Sequence, residues 1–192
     1  MRQVLLERSV VPYFRHYKLK GHRGCVNSVR FNASGNRIAS GSDDTKVLIY
    51  ERRNHKYQCV HRIDTGHSAN IFSVDFLFNE EEIVTGAMDG RVLINNFSTR
   101  VHRQQLYQYT GSCFKVEKQR DNKNTIISSG FGGVNLHDIR SRDVLNVVNM
   151  SGDVLGLVTR HDLSLEFCKD RAIRLEKEGS DSPRRNHSIY LT

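Results

Sequence analysis

No stretch of this chain comes near the roughly 20 consecutive apolar residues that a membrane-spanning helix requires, so no membrane role is expected. The first residues, Met1-Arg2-Gln3-Val4-Leu5-Leu6-Glu7-Arg8, lack the apolar centre of a secretory signal, and charge follows too soon. An intracellular protein, nuclear or cytoplasmic, is expected. A glycine-rich phosphate loop and a Gly-x-Ser-x-Gly nucleophile turn are both missing, so the chain is not expected to be an enzyme or to hold a cofactor. Cysteine is sparse: Cys25, Cys59, Cys113 and Cys168 are far apart and make no Cys-x-x-Cys pair. They read as small apolar strand residues in a reducing compartment. His22 with Cys25 and Cys59 with His61 are the only close pairs, and neither has a matching second pair for zinc.

What is present suits one ordinary domain: 192 residues, 38% hydrophobic and 26% charged. The net charge of +8 could draw in nucleic acid or an acidic protein surface. The basic residues are scattered, however, from Arg2 and Arg8 through Lys18, Lys20 and Arg23 to Arg100 and Arg103. With no basic helix and no aromatic stacking motif, nucleic acid is a disfavoured partner.

Self-similarity decides the fold. Leu19-Lys20-Gly21-His22-Arg23-Gly24-Cys25-Val26-Asn27-Ser28-Val29-Arg30-Phe31 recurs as Asp64-Thr65-Gly66-His67-Ser68-Ala69-Asn70-Ile71-Phe72-Ser73-Val74-Asp75-Phe76. A worn third copy is Tyr109-Thr110-Gly111-Ser112-Cys113-Phe114-Lys115-Val116. Gly21, Gly66 and Gly111 are 45 residues apart, the period of a propeller blade. The second half of the unit repeats too: Ile38 to Tyr50 aligns with Ile83 to Asn95, then with Ile126 to Asp138, and faintly with Leu163 to Glu176. Each half is two short runs with partial alternation around a Gly/Asp turn, which reads as strand, turn, strand. Asp89-Gly90 and Gly132-Gly133 suit turns that need positive φ. In the first unit, strand a is expected at about 25–31, b at 36–41, c at 46–51 and d at 57–63. The expected fold is all-β, a propeller of about three to four blades with four antiparallel strands each.

These repeats resemble the WD-repeat superfamily, in which a Gly-His precedes strand a and an Asp sits in the b–c turn. The resemblance implies hydrogen-bonded pairs, His22 with Asp44 and His67 with Asp89, extended by Ser40 and Thr85 on strand b. Repetition in each blade marks these residues as scaffold rather than a catalytic dyad. The family's Trp at the end of strand c is replaced by Tyr50, Asn95 and His137, and only His137 is followed by Asp. Ser112 stands where the third His is expected.

The organisation expected is an N-terminal segment at 1–14, possible as a short helix, blades over 15–177, and a polar, disordered tail at 178–192. The blades divide at about 21–65, 66–110, 111–151 and a partial 152–177, with a strand d of a further blade at about 15–20. So few blades leave open sheet edges. A shortened product is the favoured explanation. Folding with a partner or second copy, and closure as a four-blade ring, stay open.

Over about 16–96 the tandem motifs resemble more closely the cullin-4-associated factors, in the subgroup that includes WD and tetratricopeptide repeats protein 1. That resemblance implies a substrate receptor joined to the cullin-4 ubiquitin ligase through the adaptor DDB1 (damaged-DNA-binding protein 1). In those proteins a Trp-Asp-x-Arg motif ending strand c faces the adaptor. Its counterparts here are His137-Asp138-Ile139-Arg140 and, less fully, Tyr50-Glu51-Arg52-Arg53, so His137, Asp138, Arg140 and Arg53 are the candidate adaptor residues. Substrate, of unknown identity, would meet the loops at the other blade ends, near Arg23, Asp43, Ser68, Asn70 and Met88. A general WD-repeat scaffold outside any ligase, and a truncated product with little activity, are the alternative readings.

Overall fold

The computed structural model describes residues 18–99, 101–119, 122–141 and 143–156. The segments expected at 1–14 and 178–192, and most of the partial blade at 152–177, lie outside them. Through the described residues run β1 (Val26–Phe31), β2 (Arg37–Ser42), β3 (Lys46–Arg53), β4 (Lys56–Asp64), β5 (Ile71–Phe76), β6 (Glu82–Ala87), β7 (Arg91–Asn96), β8 (Val101–Gln108), β9 (Cys113–Lys118), β10 (Thr125–Asp138) and β11 (Val144–Asp153). They form three sheets in chain order, β1-β2-β3-β4, β5-β6-β7-β8 and β9-β10-β11. All neighbours are antiparallel, as the short turns between them require.

The third sheet is a four-stranded blade, because β10 doubles back on itself and supplies its second and third strands. The first half of β10 pairs with β9 through Ile126–Gly130, and the second half pairs with β11 through Gly133–His137. The Ile139 N–H donates to the Asn124 carbonyl at 2.9 Å, so the chain has turned back between them. That contact copies Arg52 to Asn36 and Phe97 to Glu81 in the first two blades. The turn falls at Phe131-Gly132-Gly133, where both glycines have positive φ. The architecture is therefore a partial propeller of three blades among the described residues.

The blades stack face to face because their alternating apolar rows match. Ala39, Val47, Ile49 and Ile63 of the first blade pack on Ile71, Val74, Phe76, Ile83, Ala87 and Phe97 of the second. Leu77, Val84, Val92, Ile94 and Leu106 of the second pack on Tyr109, Cys113, Val116 and Ile126 of the third. Close approach depends on two glycines at matching positions. A Cβ on Gly41 would lie 2.7 Å from Ile71 Cγ2, and one on Gly86 would lie 2.6 Å from Cys113 Sγ.

The first strands of the three blades belong to separate sheets, so side chains bridge them. The Val74 N–H donates to Ser28 Oγ at 3.1 Å, and the Val116 N–H donates to Ser73 Oγ at 3.1 Å. The Lys118 N–H donates to Asp75 Oδ2 at 3.1 Å. The described part of the strand expected at 15–20 is not a strand: residues 18–20 are exposed and join no ladder. A fourth strand can pair only with the third strand of its own blade, and none lies beside them among the described residues.

Candidate interaction surfaces

One end of the blades gathers the b–c turns and the loops that enter each first strand. Three equivalent backbone bonds fix it: the N–H groups of Asp43, Met88 and Phe131 donate to the carbonyls of Cys25, Asn70 and Ser112 at 3.0, 2.8 and 3.0 Å. The residues expected at this end lie here. Arg23 and Ser68 are exposed, Asn70 is half-buried beside Met88, and Asp43 accepts a hydrogen bond from Asn27 Nδ2 at 2.7 Å.

Beneath the turns lie the buried polar networks. In the first blade His22 Nδ1 is 3.1 Å from Asp44 Oδ1 and its Nε2 is 2.7 Å from Ser40 Oγ. In the second, His67 Nδ1 is 3.0 Å from Asp89 Oδ1 and its Nε2 is 2.9 Å from Thr85 Oγ1. Burial by itself would raise the Asp89 carboxyl. The N–H groups of Ser68 and Arg91, the neighbouring His67 and the Arg91 guanidinium outweigh it and bring the group down to about 2. Asp44 is also lowered, against burial, by the Arg23 N–H, His22 and the Lys46 N–H. A carboxylate so saturated with donors is a fixed structural anion rather than a base.

The third blade keeps the network's position but changes its members. The Tyr109 hydroxyl is 2.7 Å from Ser128 Oγ, which is 2.6 Å from His137 Nε2. Ser128 matches Ser40 and Thr85, and Tyr109 reaches it where the other blades use histidine. His137 is a correction to the sequence expectation. It is 1% exposed, so it presents nothing to an adaptor; it fills the core beside Tyr107, with ring centroids 5.7 Å apart. Burial holds its imidazole down at about 4, and among the described residues Nδ1 has no hydrogen-bond partner.

The same end carries an apolar patch that the sequence reading captured only at Met88. Met88 is 55% and Phe131 45% exposed, on equivalent turns of adjacent blades. Beside them Phe72 and Phe114 are half-buried and stack at 5.6 Å with ring planes 14° apart. The 45-residue repeat places Met88 near a turn, but Phe131 is obscured by its shortened turn. The Phe72–Phe114 pairing crosses two blades, so periodicity alone marks only the equivalence of the two positions.

The opposite end carries two acid-x-Arg pairs at the ends of matching third strands. The Arg140 Nη2 and Nε groups donate to the two oxygens of Asp138 at 2.8 and 3.2 Å. The Arg53 Nη2 and Nε groups both donate to Glu51 Oε2, at 2.8 and 3.0 Å. Both arginine side chains remain mostly exposed, 67% and 58%. The Arg140 guanidinium pulls the Asp138 carboxyl down to about 2. Each carboxylate thus splays its arginine at the rim, and the second blade has Ser98 at this position. Among the described residues no group of three His, Cys, Asp or Glu side chains could hold a metal, and no helix is long and apolar enough to cross a membrane.

Comparison with known proteins agrees with this geometry. The family model described as "WD domain, G-beta repeat" matches residues 15–51 and 57–95. Protein ALTERED SEED GERMINATION 2 of Arabidopsis thaliana is 35% identical over 136 residues, covering 64% of this chain and 18% of its own length. Human WD and tetratricopeptide repeats protein 1 is 29% identical over 157 residues, 73% of this chain and 23% of that protein. Human DDB1- and CUL4-associated factor 6 is 31% identical over 170 residues, 85% of this chain and 20% of that protein. The chain spans about a fifth of the length of these curated relatives. The crystal structure of the computationally designed Ika4 protein superposes with a TM-score of 0.59 at 20% identity, covering 71% of this chain and 80% of that one. That likeness concerns the fold alone.

Proposed function

Since the chain is a WD-repeat protein that resembles the DDB1- and CUL4-associated factors, we propose that it is an interaction scaffold that docks on the DDB1 adaptor of a cullin-4 ubiquitin ligase. The observation that carries this reading is the repeated acid-x-Arg pair. Glu51 with Arg53, and Asp138 with Arg140, present guanidinium groups at one rim in two blades. A planar, always charged fork is suited to carboxylates and carbonyls on a partner surface. The opposite end, with Met88, Phe131 and the Phe72–Phe114 stack, offers a place for a substrate protein. The work done is tethering: a substrate held there meets the ligase at raised effective concentration, with no chemical step on this chain. A ligase role would place the chain in the nucleus or cytoplasm.

The test is binding of purified DDB1 to the immobilised full chain, beside R53A, R140A and the double variant. The double variant is expected to lose about tenfold or more in affinity, since rim arginines at such contacts contribute roughly 1–2 kcal/mol. Unchanged affinity in the double variant, or no binding by the parent, would refute the reading. A scaffold serving another complex is the second reading. It is favoured by His137, which takes the motif's Trp position inside the core and leaves only the acid and the arginine at the rim.

A further inference from the structure

The hairpin joining β3 to β4 carries more positive charge than its place in the fold explains. Its ladder sets Arg53 opposite Lys56 and Arg52 opposite Tyr57, which leaves Asn54 and His55 as a two-residue turn with φ +48 and +63. Two positive φ values make a tight turn whose twist suits the strands, and its second position ordinarily goes to glycine. Here that position holds an exposed imidazole, and Arg52, Arg53 and Lys56 are exposed beside it. Like charges directly opposed, as in Arg53 and Lys56, weaken a ladder. One carboxylate serves this tip, and it is already held. Glu51 Oε1 lies 3.6 Å from Arg37 Nη2, and its Oε2 accepts from Arg53 Nη2 at 2.8 Å. Arg37 is fixed in turn by the Glu80 carbonyl at 3.1 Å and by the Phe97 ring, 5.6 Å away. Among the described residues Arg52 and Lys56 pair with no carboxylate, whereas Lys46, Arg62, Arg91 and Arg140 each face an aspartate.

Residue type marks this tip as a surface. The N–H of Arg52 donates to the Asn36 carbonyl as that of Phe97 does to Glu81 and that of Ile139 to Asn124, so the three positions are equivalent. Phe97 is buried in the core between the first and second blades, and Ile139 packs against the core between the second and third. An arginine is not the residue of such an apolar contact. Arg53 and Lys56 share the face of Glu51 and Arg37, which lies against the second blade, and they stay exposed with that blade in place. We propose that the tip is an electrostatic docking element for an acidic protein surface: it draws in a carboxylate-bearing stretch of DDB1 beside the Arg53 contact and sets how fast docking occurs. The inference rests on the docking reading given under Proposed function. Charges at a rim act mainly on the rate of encounter and its salt dependence, and less on dissociation. A nucleic acid fits the tip less well. Glu51, Glu80 and Glu81 stand at the same end as these cations. The aromatic ring of the tip, Tyr57, is engaged by the Gly35 carbonyl and the Phe31 ring rather than offered to a base.

The experiment is the kinetics of purified DDB1 binding to the immobilised full chain, beside R52Q/K56Q and R53A/R140A, at about 50 and about 500 mM salt. Arg52 and Lys56 are exposed, so R52Q/K56Q should keep the melting temperature of the parent. This variant is expected to slow association about three- to tenfold at the lower salt, to match the parent at the higher, and to change dissociation by less than about twofold. R53A/R140A is expected instead to hasten dissociation. If R52Q/K56Q associates as fast as the parent at the lower salt while R53A/R140A still weakens binding, the proposal is overturned and the docking reading stands. Slowing by the same factor at both salts would overturn it too, because steering is screened. No binding of DDB1 by the parent would overturn both readings. A DNA duplex that the parent binds more tightly than DDB1 at the lower salt, with that affinity lost in R52Q/K56Q, would give the tip to nucleic acid and overturn the proposal equally.

Discussion

Acidifying a solution of the chain from pH 7 to pH 5 is expected to destabilise it through His137. The imidazole is 1% exposed, one nitrogen faces Ser128 Oγ at 2.6 Å, and Nδ1 faces no partner among the described residues. Protonation would bury a cation with an N–H that no acceptor meets, which is why burial holds the group at about 4 instead of its ordinary 6.5. The folded pKa lies below the unfolded one, so the unfolded chain binds the proton first. The stabilisation is whole above pH 6.5 and declines as pH falls toward 4. At 1.36 kcal/mol per pH unit the full loss is on the order of 3 kcal/mol, with about 2 kcal/mol gone by pH 5. The carboxylates brought down to about 2, Asp89 and Asp138, contribute their losses mainly below pH 4, outside this window. The assay is urea unfolding followed by circular dichroism at half-unit pH steps, for the parent and for H137Q, whose amide does not titrate. The two stabilities are expected to converge or cross as pH falls from 7 to 5. Parallel curves would refute the assignment of the effect to His137.

Other outcomes follow from single residues. Removing the Asp89 carboxylate (D89A) leaves the N–H groups of Ser68 and Arg91 and the His67 ring without their acceptor, and is expected to cost about 3 kcal/mol in chemical denaturation. Thr45 has φ +62 at the position of Gly90, a conformation that burdens a β-branched residue; T45G is expected to stabilise the chain by about 0.5–1 kcal/mol in melting experiments. G86A thrusts a Cβ against Cys113 and Val116 and is expected to lower stability by roughly 1–3 kcal/mol, through overpacking between blades two and three. M88S/F131S removes exposed apolar area with little effect on the melting temperature, and is expected to weaken a bound substrate protein without changing DDB1 affinity.

Much of the fold was legible because its determinants sit inside one repeat. Gly21 and Gly66, the strand alternation, and the His22–Asp44 and His67–Asp89 pairs all lie within a 45-residue window, so the period exposes them. The rim arginines Arg53 and Arg140 were visible for the same reason, as an acid followed two residues later by arginine at the end of a third strand. Only the tertiary structure decided what each position does once blades stack. Val26, Val29 and Phe31 look like Ile71, Val74 and Phe76 in sequence, yet one row is exposed and the other fully buried, because burial depends on the neighbouring sheet. His137 looked like a rim residue by its motif position and is a core residue by its packing. Tyr109 and Ser128 form a network with it inside the third blade, while Phe72 meets Phe114 across the boundary between the second and third blades. A periodic sequence states which positions are equivalent within blades; which of them touch is set by the contact between blades.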